Sequence, residues 1–449
     1  MKICKRALNF IQIIDELGNI RICSWMPDSV VGNILENDFM GAIQSPKAKC
    51  IRKKLSQQEY SRCQKDNCPY LANGTIANNL VDMPEDAFYP EELHLAYEGK
   101  CNYHCTCCTS YKHMEQGRER DWSDNYARIE EKIKDILPHV RILGSNGRGE
   151  VFASPHIMKV LASWQPLAPA SKCRVELETN GSLFNEKNWK KIENLGKYNL
   201  HVYVTIMSFE EKVYQYLSGT KMPISNIINN LHFIKQLRDQ GIINYLELAT
   251  VVQERNFREL PEFTRRCLEE FGADLVRLRP IVPGGSQPIE VQWFADVRNP
   301  YHPYYEEYKE VMKSKIFHDS RVLLWSGDLD STRGAFPIVN LGKEKYDRLF
   351  SVALGYKVLY ELSVWPKIKK VIIYGAGSIG EKLHDFLKER CDLDLELITT
   401  KGGQDMRSIN DILDRKGLAI IIATARRDYR EEMLKICKEL GFDKVLQAD

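Results

Sequence analysis

The stretch LHLAYEGKCNYHCTCC, residues 93–108, joins a short β-prone run to four cysteines within eight positions. Further β-prone runs follow, separated by helical patterns whose apolar residues recur at three and four. Those runs are HVRILG at 139–144, RVELET at 174–179, LHVYVTI at 200–206, YLELATVV at 245–252 and LVRLRP at 275–280. Strands that alternate with helices predict crossover units and a parallel sheet, so we expect an α/β fold.

Residues 93–283 have the length of six such units, because a complete eight-unit barrel takes about 250 residues. The sequence therefore predicts a partial (β/α)6 TIM-like barrel. A doubly wound open sheet is the competing topology, and the spacing of the runs does not separate the two. In both topologies ligands bind at the carboxyl ends of the strands, which is where the cysteines stand.

The composition excludes several classes of protein. The 63 basic and 61 acidic side chains nearly cancel, so no net field attracts nucleic acid or an anionic membrane. The amino terminus lacks the apolar core of a signal peptide. The longest apolar run, LAIIIATA at 418–425, is far shorter than the roughly 18 residues of a membrane helix. We therefore expect a cytoplasmic protein without membrane or nucleic-acid partners.

Thirteen cysteines in a reducing compartment indicate metal binding or catalysis rather than disulfides. Cys101, Cys105 and Cys108 form the spacing C-x3-C-x2-C, with Cys107 as a spare thiol. Three thiolates with no fourth ligand nearby would leave one iron of a four-iron cluster open to a substrate or cofactor. Zinc with a distant fourth ligand is the alternative. The scattered cysteines, Cys173, Cys267, Cys391 and Cys437, are interpreted as small buried hydrophobes.

This spacing after the first of six barrel strands resembles the radical S-adenosylmethionine (SAM) superfamily. The resemblance implies a [4Fe-4S] cluster whose open iron binds SAM, and reductive cleavage of SAM to a 5′-deoxyadenosyl radical. GSNGRGEVFASP at 144–155 is similar to the Gly-Gly-Glu turn of that family, with Arg148 in place of the first glycine. The likeness implies that Glu150 meets the methionyl ammonium and that Gly149 lets backbone approach the ligand.

Later strand ends carry further likenesses to the same superfamily. The run ETNGSLF resembles its Thr-Asn-Gly turn, and residues 279–281 fall where the adenine is covered in relatives. The residues that the resemblance places against SAM are Asn180, Thr205, Ser208 and Gln253. Each has a plainer interpretation, because Asn-Gly is a common turn and Glu150 alone would suit a helix cap. No catalytic side chain is predicted.

A second group of cysteines precedes the barrel. Cys4 and Cys23 flank a predicted hairpin, and Cys63 and Cys68 form a second pair, so the four can supply one metal site. VGNILENDFMGAIQS resembles a segment of the SPASM module, which implies an auxiliary [4Fe-4S] cluster; that module normally follows the barrel. A structural zinc site of the same four thiolates is the alternative. Cys50 is then a spare.

The carboxyl-terminal part begins a new α/β pattern. KVIIYGAGSIGEKLHDFL predicts a strand, a glycine-rich turn with Gly375, Gly377 and Gly380, and a helix, which is typical of dinucleotide or phosphate sites. The acidic residue expected at the end of the next strand is missing, where the sequence reads Thr399, Thr400. The domain resembles small Rossmann units beside enzymes of surface-sugar assembly. We expect it either to bind a nucleotide or only to pack.

The sequence thus predicts four parts. They are an auxiliary-cluster module at 1–78, the barrel at 79–315, a linker or barrel-closing segment at 316–366, and a Rossmann-like domain at 367–449. We expect hydrogen abstraction from a small molecule, either a sugar or nucleotide-sugar, with a reduced flavodoxin or ferredoxin-type electron donor. Peptide or protein modification, as in SPASM-bearing relatives, is one alternative. A non-catalytic iron-sulfur or zinc sensor is the other.

Overall fold

The computed structural model describes residues 1–26, 28–65, 68–84, 88–110, 120–145, 148–282, 285–324, 342–365, 368–402, 406–413 and 416–447. The chain divides into two compact units. Unit 1 comprises Met1–Val252, Glu259–Ser286 and Lys313–Pro337, and unit 2 comprises Gln253–Arg258, Gln287–Met312 and Ile338–Asp449. Within the described ranges, no helix combines the length and apolar character needed to cross a bilayer. The domain boundaries inferred from the sequence stay predictions.

The amino-terminal part of unit 1 is a small mixed region. Its strands are β1 (Lys2–Cys4), β2 (Phe10–Ile13), β3 (Asn19–Arg21), β4 (Val30–Asn33) and β5 (Leu80–Asp82), and its helices are α1 (Lys5–Asn9), α2 (Phe39–Ile43), α3 (Pro46–Ser56) and α4 (Pro69–Ala72). The predicted hairpin is present, because β2 and β3 pair antiparallel around Gly18, whose φ is +80°. Strands β1 and β5 form a separate antiparallel pair.

The repeating strand and helix pattern follows. The strands are β6 (Glu92–Leu95), β7 (Ile142–Ser145), β8 (Arg174–Thr179), β9 (Asn199–Thr205), β10 (Tyr245–Val252), β11 (Leu275–Pro280) and β12 (Val322–Leu324). The helices are α5 (Ser123–Ile133), α6 (Pro155–Ser163), α7 (Glu186–Trp189), α8 (Glu211–Ser218), α9 (Ile224–Asp239) and α10 (Leu260–Arg265). All six strands expected from the sequence are present.

These strands form one ten-stranded sheet with the order β12-β11-β10-β9-β8-β7-β6-β2-β3-β4. Strands β6 to β12 are parallel and lie in sequence order, which excludes the doubly wound alternative, because that topology reverses its strand order at a switch point. Sequential order is the one that a barrel requires. Curvature into a partial barrel stays a prediction.

Two features of this sheet differ from expectation. Strand β2 pairs in parallel with β6, so the cysteine-bearing hairpin extends the main sheet. A short seventh parallel strand, β12, adds to the other side of β11, within the segment expected only to close the barrel. Residues 325–341 of that segment lie outside the described residues. Both pairings depend on hydrogen bonds between segments that are distant along the chain. The composition of the hairpin and of the linker does not indicate such pairings.

One face of the main sheet carries charged and aromatic side chains. In β8, Val175 and Leu177 are fully buried, whereas Arg174, Glu176 and Glu178 alternate with them on the other face. Because aligned residues of parallel strands share a face, the pairing extends this polarity across the sheet. The polar face, as we call it, comprises Gln12, His94, Glu176, Glu178, His201, Tyr203, Tyr245, Glu247, Arg277 and Arg279.

Unit 2 contains the carboxyl-terminal sheet. Its helices are α11 (Ile289–Phe294), α12 (Tyr305–Val311), α13 (Lys343–Val364), α14 (Ser378–Lys388) and α15 (Arg427–Glu439), and its strands are β13 (Lys370–Tyr374), β14 (Asp394–Ile398), β15 (Leu418–Ile422) and β16 (Val445–Leu446). All four strands are parallel in the order β14-β13-β15-β16. This places the first strand between the second and third, as doubly wound sheets do. The Rossmann-like assignment itself stays a prediction.

Substitution of Gly144 tests the packing of the polar face. Gly144→Ala should lower the free energy of unfolding by about 1–3 kcal/mol, because overpacking displaces neighbours. A Cβ at this position would lie 2.5 Å from Nδ1 of His94. Urea unfolding measures the effect, with Gly342→Ala as the control, since a Cβ there meets no described atom within 4 Å. Equal stability of the two variants would contradict the register of β6 and β7.

Candidate functional site

The cysteine loop after β6 is fastened to the end of helix α8 by main-chain hydrogen bonds. His104 N donates to Ser218 O at 3.1 Å, and Thr106 N donates to Leu217 O at 2.9 Å. Gly219, which caps the helix, has φ +59°, and a Cβ there would lie 2.2 Å from His104 O. Only glycine fits this position, since a side chain would be strained and would collide with backbone. The protein itself therefore fixes the path of the loop.

A second contact joins the same loop to the turn after β7. Gly149 has φ +78°, and a Cβ there would lie 2.4 Å from Lys100 O. Glu150 N donates a hydrogen bond to the same carbonyl oxygen at 2.7 Å. The close backbone approach that Gly149 permits is thus to the residue before Cys101.

Three cysteines of the loop surround one cavity. Cys101, Cys105 and Cys108 line a space of about 290 Å³, and Cys107 lines it as well. Small-molecule sites have volumes from about 300 Å³ upward, so this cavity suits a compact cofactor. Burial raises the pKa of the Cys105 thiol well above its usual 9.0, and the neighbouring cysteines raise it further. Metal binding would displace these protons.

Three of the six residues that the resemblance places against SAM meet at this cavity. Gly149, Asn180 and Thr205 line it, and Arg279 contributes a cation. They come from the ends of β7, β8, β9 and β11, as expected for chemistry at the carboxyl edge of a parallel sheet. Four strand ends and the cysteine loop therefore share a single binding space.

Two predicted ligand residues are placed elsewhere. Ser208 is fully buried outside the cavity wall, and its Oγ accepts a hydrogen bond from Glu210 N at 2.9 Å. It stabilises the turn after β9. Gln253 belongs to unit 2, where its main-chain N donates to Asn256 Oδ1 at 2.7 Å. Both were assigned from the resemblance to the superfamily, and their contact with SAM stays a prediction.

The carboxylate of Glu150 ties two turns together. It accepts hydrogen bonds from Thr179 Oγ1 at 2.6 Å, Asn180 N at 2.7 Å and Phe152 N at 3.3 Å. Glu150 is buried outside the cavity wall, and this burial raises the pKa of its carboxyl to about 7. The structure therefore gives Glu150 a structural role between β7 and β8. Contact with the SAM ammonium stays a prediction.

Polar groups surround the sulfur of Cys101. Tyr103 N donates to its Sγ at 3.4 Å, and Asn180 Nδ2 approaches the same sulfur at 4.0 Å. Asn180 is itself oriented by a donation from its Nδ2 to Asn102 Oδ1 at 3.0 Å. N–H donors toward a thiolate stabilise its charge and tune a bound cluster. The amide of Asn180 thus touches the first cysteine, a contact that its turn motif did not predict.

Two buried hydroxyls at the cavity escaped prediction from sequence. Ser145 ends β7 and Ser218 ends α8, and both line the cavity. Ser145 Oγ and Ser218 Oγ are buried without a hydrogen-bond partner among the described residues. An unmet buried hydroxyl costs about 1–3 kcal/mol, so a polar ligand is the natural partner. A lone serine at an element end carries no sequence signal.

The spacing of the thiols bears on which metal they fit. Among the described residues, which include all thirteen cysteines, the one group of three ligand atoms within 4.8 Å of one another is Glu92, His94 and Glu176. No three thiols are that close. A zinc ion holds its sulfurs about 3.8 Å apart, given Zn–S bonds of about 2.3 Å in a tetrahedron. A single zinc ion would need three of these thiols to lie closer together than they do in this structure.

The amino-terminal cysteines meet at a second cavity. Cys4, Cys23, Cys63 and Cys68 line it together, as the sequence predicted, while Cys50 is exposed on α3. Burial raises the pKa of Cys63 to about 12, with further increments from Cys23, Cys68 and Cys4. The mutual influence shows that the four thiols face one another.

The glycine-rich turn of unit 2 joins β13 to α14. Gly375 has φ +123°, and a Cβ on Gly380 would lie 1.8 Å from Gly375 O, so the start of α14 packs directly on the turn. Gly377 meets no described atom within 4 Å. At the end of β14, where an acid would bind ribose, Thr400 Oγ1 hydrogen-bonds to Tyr374 OH at 2.9 Å.

Comparison with known families decides the nature of the first site. Residues 99–267 match the sequence model of the Radical SAM superfamily. They form a radical SAM domain. The match begins two residues before Cys101 and ends at Cys267, so it contains the cysteine loop and the strand ends from β7 to β10. A search of curated proteins found no match to the chain.

The radical SAM domain indicates an enzyme of that superfamily, and the family implies a [4Fe-4S] cluster and SAM. The residues present fit both groups. Three half-buried thiols share a cavity, and two serine hydroxyls without a hydrogen-bond partner among the described residues line the same space. The amino-terminal cysteines and unit 2 lie outside the matched region.

The buried carboxyl of Glu150 predicts a pH dependence of stability. Its folded pKa of about 7 exceeds the reference 4.5, so it stabilises the fold at low pH and loses that contribution as pH rises toward 7. The loss is about 3 kcal/mol over this window, at about 1.4 kcal/mol per pKa unit. Glu150→Gln should lack it. Urea unfolding of both apo proteins at pH 5 and 7.5 measures the difference, and identical pH profiles would contradict it.

Proposed function

We propose that the protein is a radical SAM enzyme that removes a hydrogen atom from a sugar or nucleotide-sugar. The observation that carries the proposal is the meeting of Cys101, Cys105 and Cys108 at one cavity within the matched domain. When bound there, the cluster and SAM supply a 5′-deoxyadenosyl radical. The residues of the chain hold these groups, exclude water and orient the substrate.

The residues that line the cavity hold the cluster and SAM. The main-chain contacts at Lys100 and Gly219 hold the cysteine loop in position, so the thiolates need little rearrangement to bind metal. Asn180 lies beside the Cys101 sulfur, and Ser145 and Ser218 offer hydroxyls to SAM. Thr205 binds the ribose or carboxylate of SAM, which its position in the cavity wall supports. The Glu150 bridge maintains the wall behind them.

The polar face supports a sugar as the substrate. It reaches the cavity through Glu178, Thr205 and Arg279, and it continues along the strands below them. Three rings cluster there: His201 and Tyr245 have centroids 5.0 Å apart, and Tyr203 lies 5.9 Å from Tyr245. Glu178 and Arg279 at the cavity can hydrogen-bond to sugar hydroxyls, and the three rings lie farther down the same strands, where the C–H face of a sugar can pack on them.

The charges of the polar face largely neutralise one another. Arg277 makes a two-point contact with Glu247 at 2.5 and 2.7 Å. Burial lowers the pKa of His201 to about 4, so its ring is neutral near pH 7. A face with paired charges suits an uncharged polyhydroxylated ring better than a strongly charged peptide.

Two further assignments belong to this proposal. Cys4, Cys23, Cys63 and Cys68 hold an auxiliary [4Fe-4S] cluster, supported by their shared cavity. The glycine turn of unit 2 binds a nucleotide, supported by the geometry of Gly375, Gly377 and Gly380. The electron donor is a reduced flavodoxin or ferredoxin-type protein, and the enzyme works in the cytoplasm.

Cys105→Ala should abolish SAM cleavage, because the cluster loses one of three ligands. Anaerobically reconstituted protein is given dithionite and SAM, and 5′-deoxyadenosine is measured by mass spectrometry. The variant should also lose about half of the roughly eight irons that two clusters contain. Cys173→Ala is the matched control, since Cys173 is buried away from both cysteine cavities. Absence of product from intact protein would favour a sensor.

Tyr203→Ala tests the class of substrate. A panel of nucleoside diphosphate sugars should stimulate 5′-deoxyadenosine formation, and the variant should raise the KM of the stimulating sugar about tenfold, as loss of an aromatic contact of about 1.4 kcal/mol would. Tyr429→Ala is the control, because Tyr429 is exposed on α15. Stimulation by peptides and not by sugars would replace this substrate with a peptide or protein.

A further inference from the structure

Arg6 stands between the auxiliary cysteines and the first strand of the radical SAM domain's sheet. It follows Cys4 by two residues in α1, and its side chain lines the cavity of the four thiols. Its guanidinium lies over the rings of Phe10 and Trp25, 4.0 and 4.4 Å from their centroids. Two aromatic faces therefore hold the cation in place at the cavity wall.

Two of the three side-chain nitrogen atoms of Arg6 have hydrogen-bond partners among the described residues. Nη1 pairs with Glu92 Oε1 at 3.3 Å, and Nη2 donates to Ser24 Oγ at 3.1 Å. Nε is buried and has no hydrogen-bond partner among the described residues. A buried donor left unmet is unfavourable by about 1–3 kcal/mol, and more for a charged group. An acceptor supplied by whatever fills the cavity would remove this penalty.

The charge of the cavity wall also favours a ligand with hydrogen-bond acceptors and negative charge. Among its described lining residues, Arg6 is the one permanent cation, and the others are cysteines, aromatic and aliphatic side chains. A cluster held by four thiolates is anionic and becomes more so on reduction. A neighbouring cation stabilises the reduced form more than the oxidised form.

We propose that Arg6 positions the auxiliary cluster and sets its potential: Nε–H donates to a sulfur of the cluster, and the guanidinium charge favours the reduced state. The inference rests on the auxiliary cluster proposed above. Glu92 moderates the effect, because its carboxylate faces Arg6 from the other side.

The same contact links the auxiliary site to the polar face. Glu92 begins β6 and also hydrogen-bonds to His94 Nε2 at 2.8 Å. Polar contacts therefore run from Arg6 through Glu92 to His94. They connect the cavity of the amino-terminal cysteines with the polar face. All three residues belong to unit 1. A change of charge at Glu92 should therefore change the reduction potential of the cluster.

The test uses two substitutions with opposite predicted signs. Full-length reconstituted protein is titrated potentiometrically and followed by electron paramagnetic resonance, with the auxiliary signal recognised because added SAM leaves it unchanged. Arg6→Gln removes the cation and should lower the reduced-to-oxidised ratio at fixed potential at least tenfold, a downward shift of about 59 mV for one electron. Glu92→Gln removes the opposing anion and should shift the potential upward.

Two further variants separate charge and hydrogen bonding from general effects. Arg6→Lys keeps the charge and loses the Nε–H donor, so its downward shift should be smaller than that of Arg6→Gln. Arg62→Gln is the matched control, because Arg62 is an exposed cation of the same region, paired with Asp28 at 3.0 Å. It should leave the potential unchanged.

The outcomes distinguish this inference from the proposed function. Four irons per chain in the unmodified protein would remove the auxiliary cluster and the role of Arg6 together. A second cluster whose potential does not respond to Arg6→Gln, or responds in the same direction to both substitutions, overturns the role of Arg6 alone. If Arg6→Gln fails to assemble the cluster, the upward shift of Glu92→Gln still decides.

Discussion

The carbonyl oxygen of Lys100 accepts a hydrogen bond from Glu150 N at 2.7 Å, in a space that only a glycine at 149 leaves open. This contact holds the cysteine loop against the turn of the next strand, and Gly219 does the same from the far side. The three thiols face one cavity because their loop is fastened to backbone at Lys100, His104 and Thr106. Side chains can rearrange, whereas main-chain contacts at this distance leave little freedom, so the metal site is preorganised.

The second organising feature is the balance of charge on the polar face. A sheet whose open face carries glutamates, arginines and a buried histidine remains stable because its ions pair across neighbouring strands, as Glu247 and Arg277 do. Gly144 leaves room for the His94 ring between β6 and β8. The face remains polar and nearly neutral, which suits a ligand rich in hydroxyls. Through Glu92 and His94, Arg6 extends this network to the cavity of the amino-terminal cysteines.

The limits of sequence reasoning are visible at particular residues. Patterns of period two and of three and four predicted the strands from β6 to β11 but not the short strand β12, because burial alternates with the pleat and with the helical turn. The cysteine spacing predicted which thiols share a cavity. The direction of the Glu150 carboxylate could not be predicted, since it depends on Thr179 and the Asn180 amide, which another strand delivers. Ser208 and Ser218 look alike in sequence, and only the turn after β9 and the end of α8 decide which hydroxyl reaches the cavity.

The sequence by itself determined the class of fold, the grouping of the cysteines and the matched radical SAM region, because these follow from local periodicity and from residue spacing along the chain. Tertiary structure alone decided that β2 pairs with β6, that β12 joins the sheet and that Arg6 lies at the auxiliary cavity beside Glu92. Such contacts join residues as far apart as 86 positions. They depend on hydrogen bonds and charges that become neighbours only once the chain has folded.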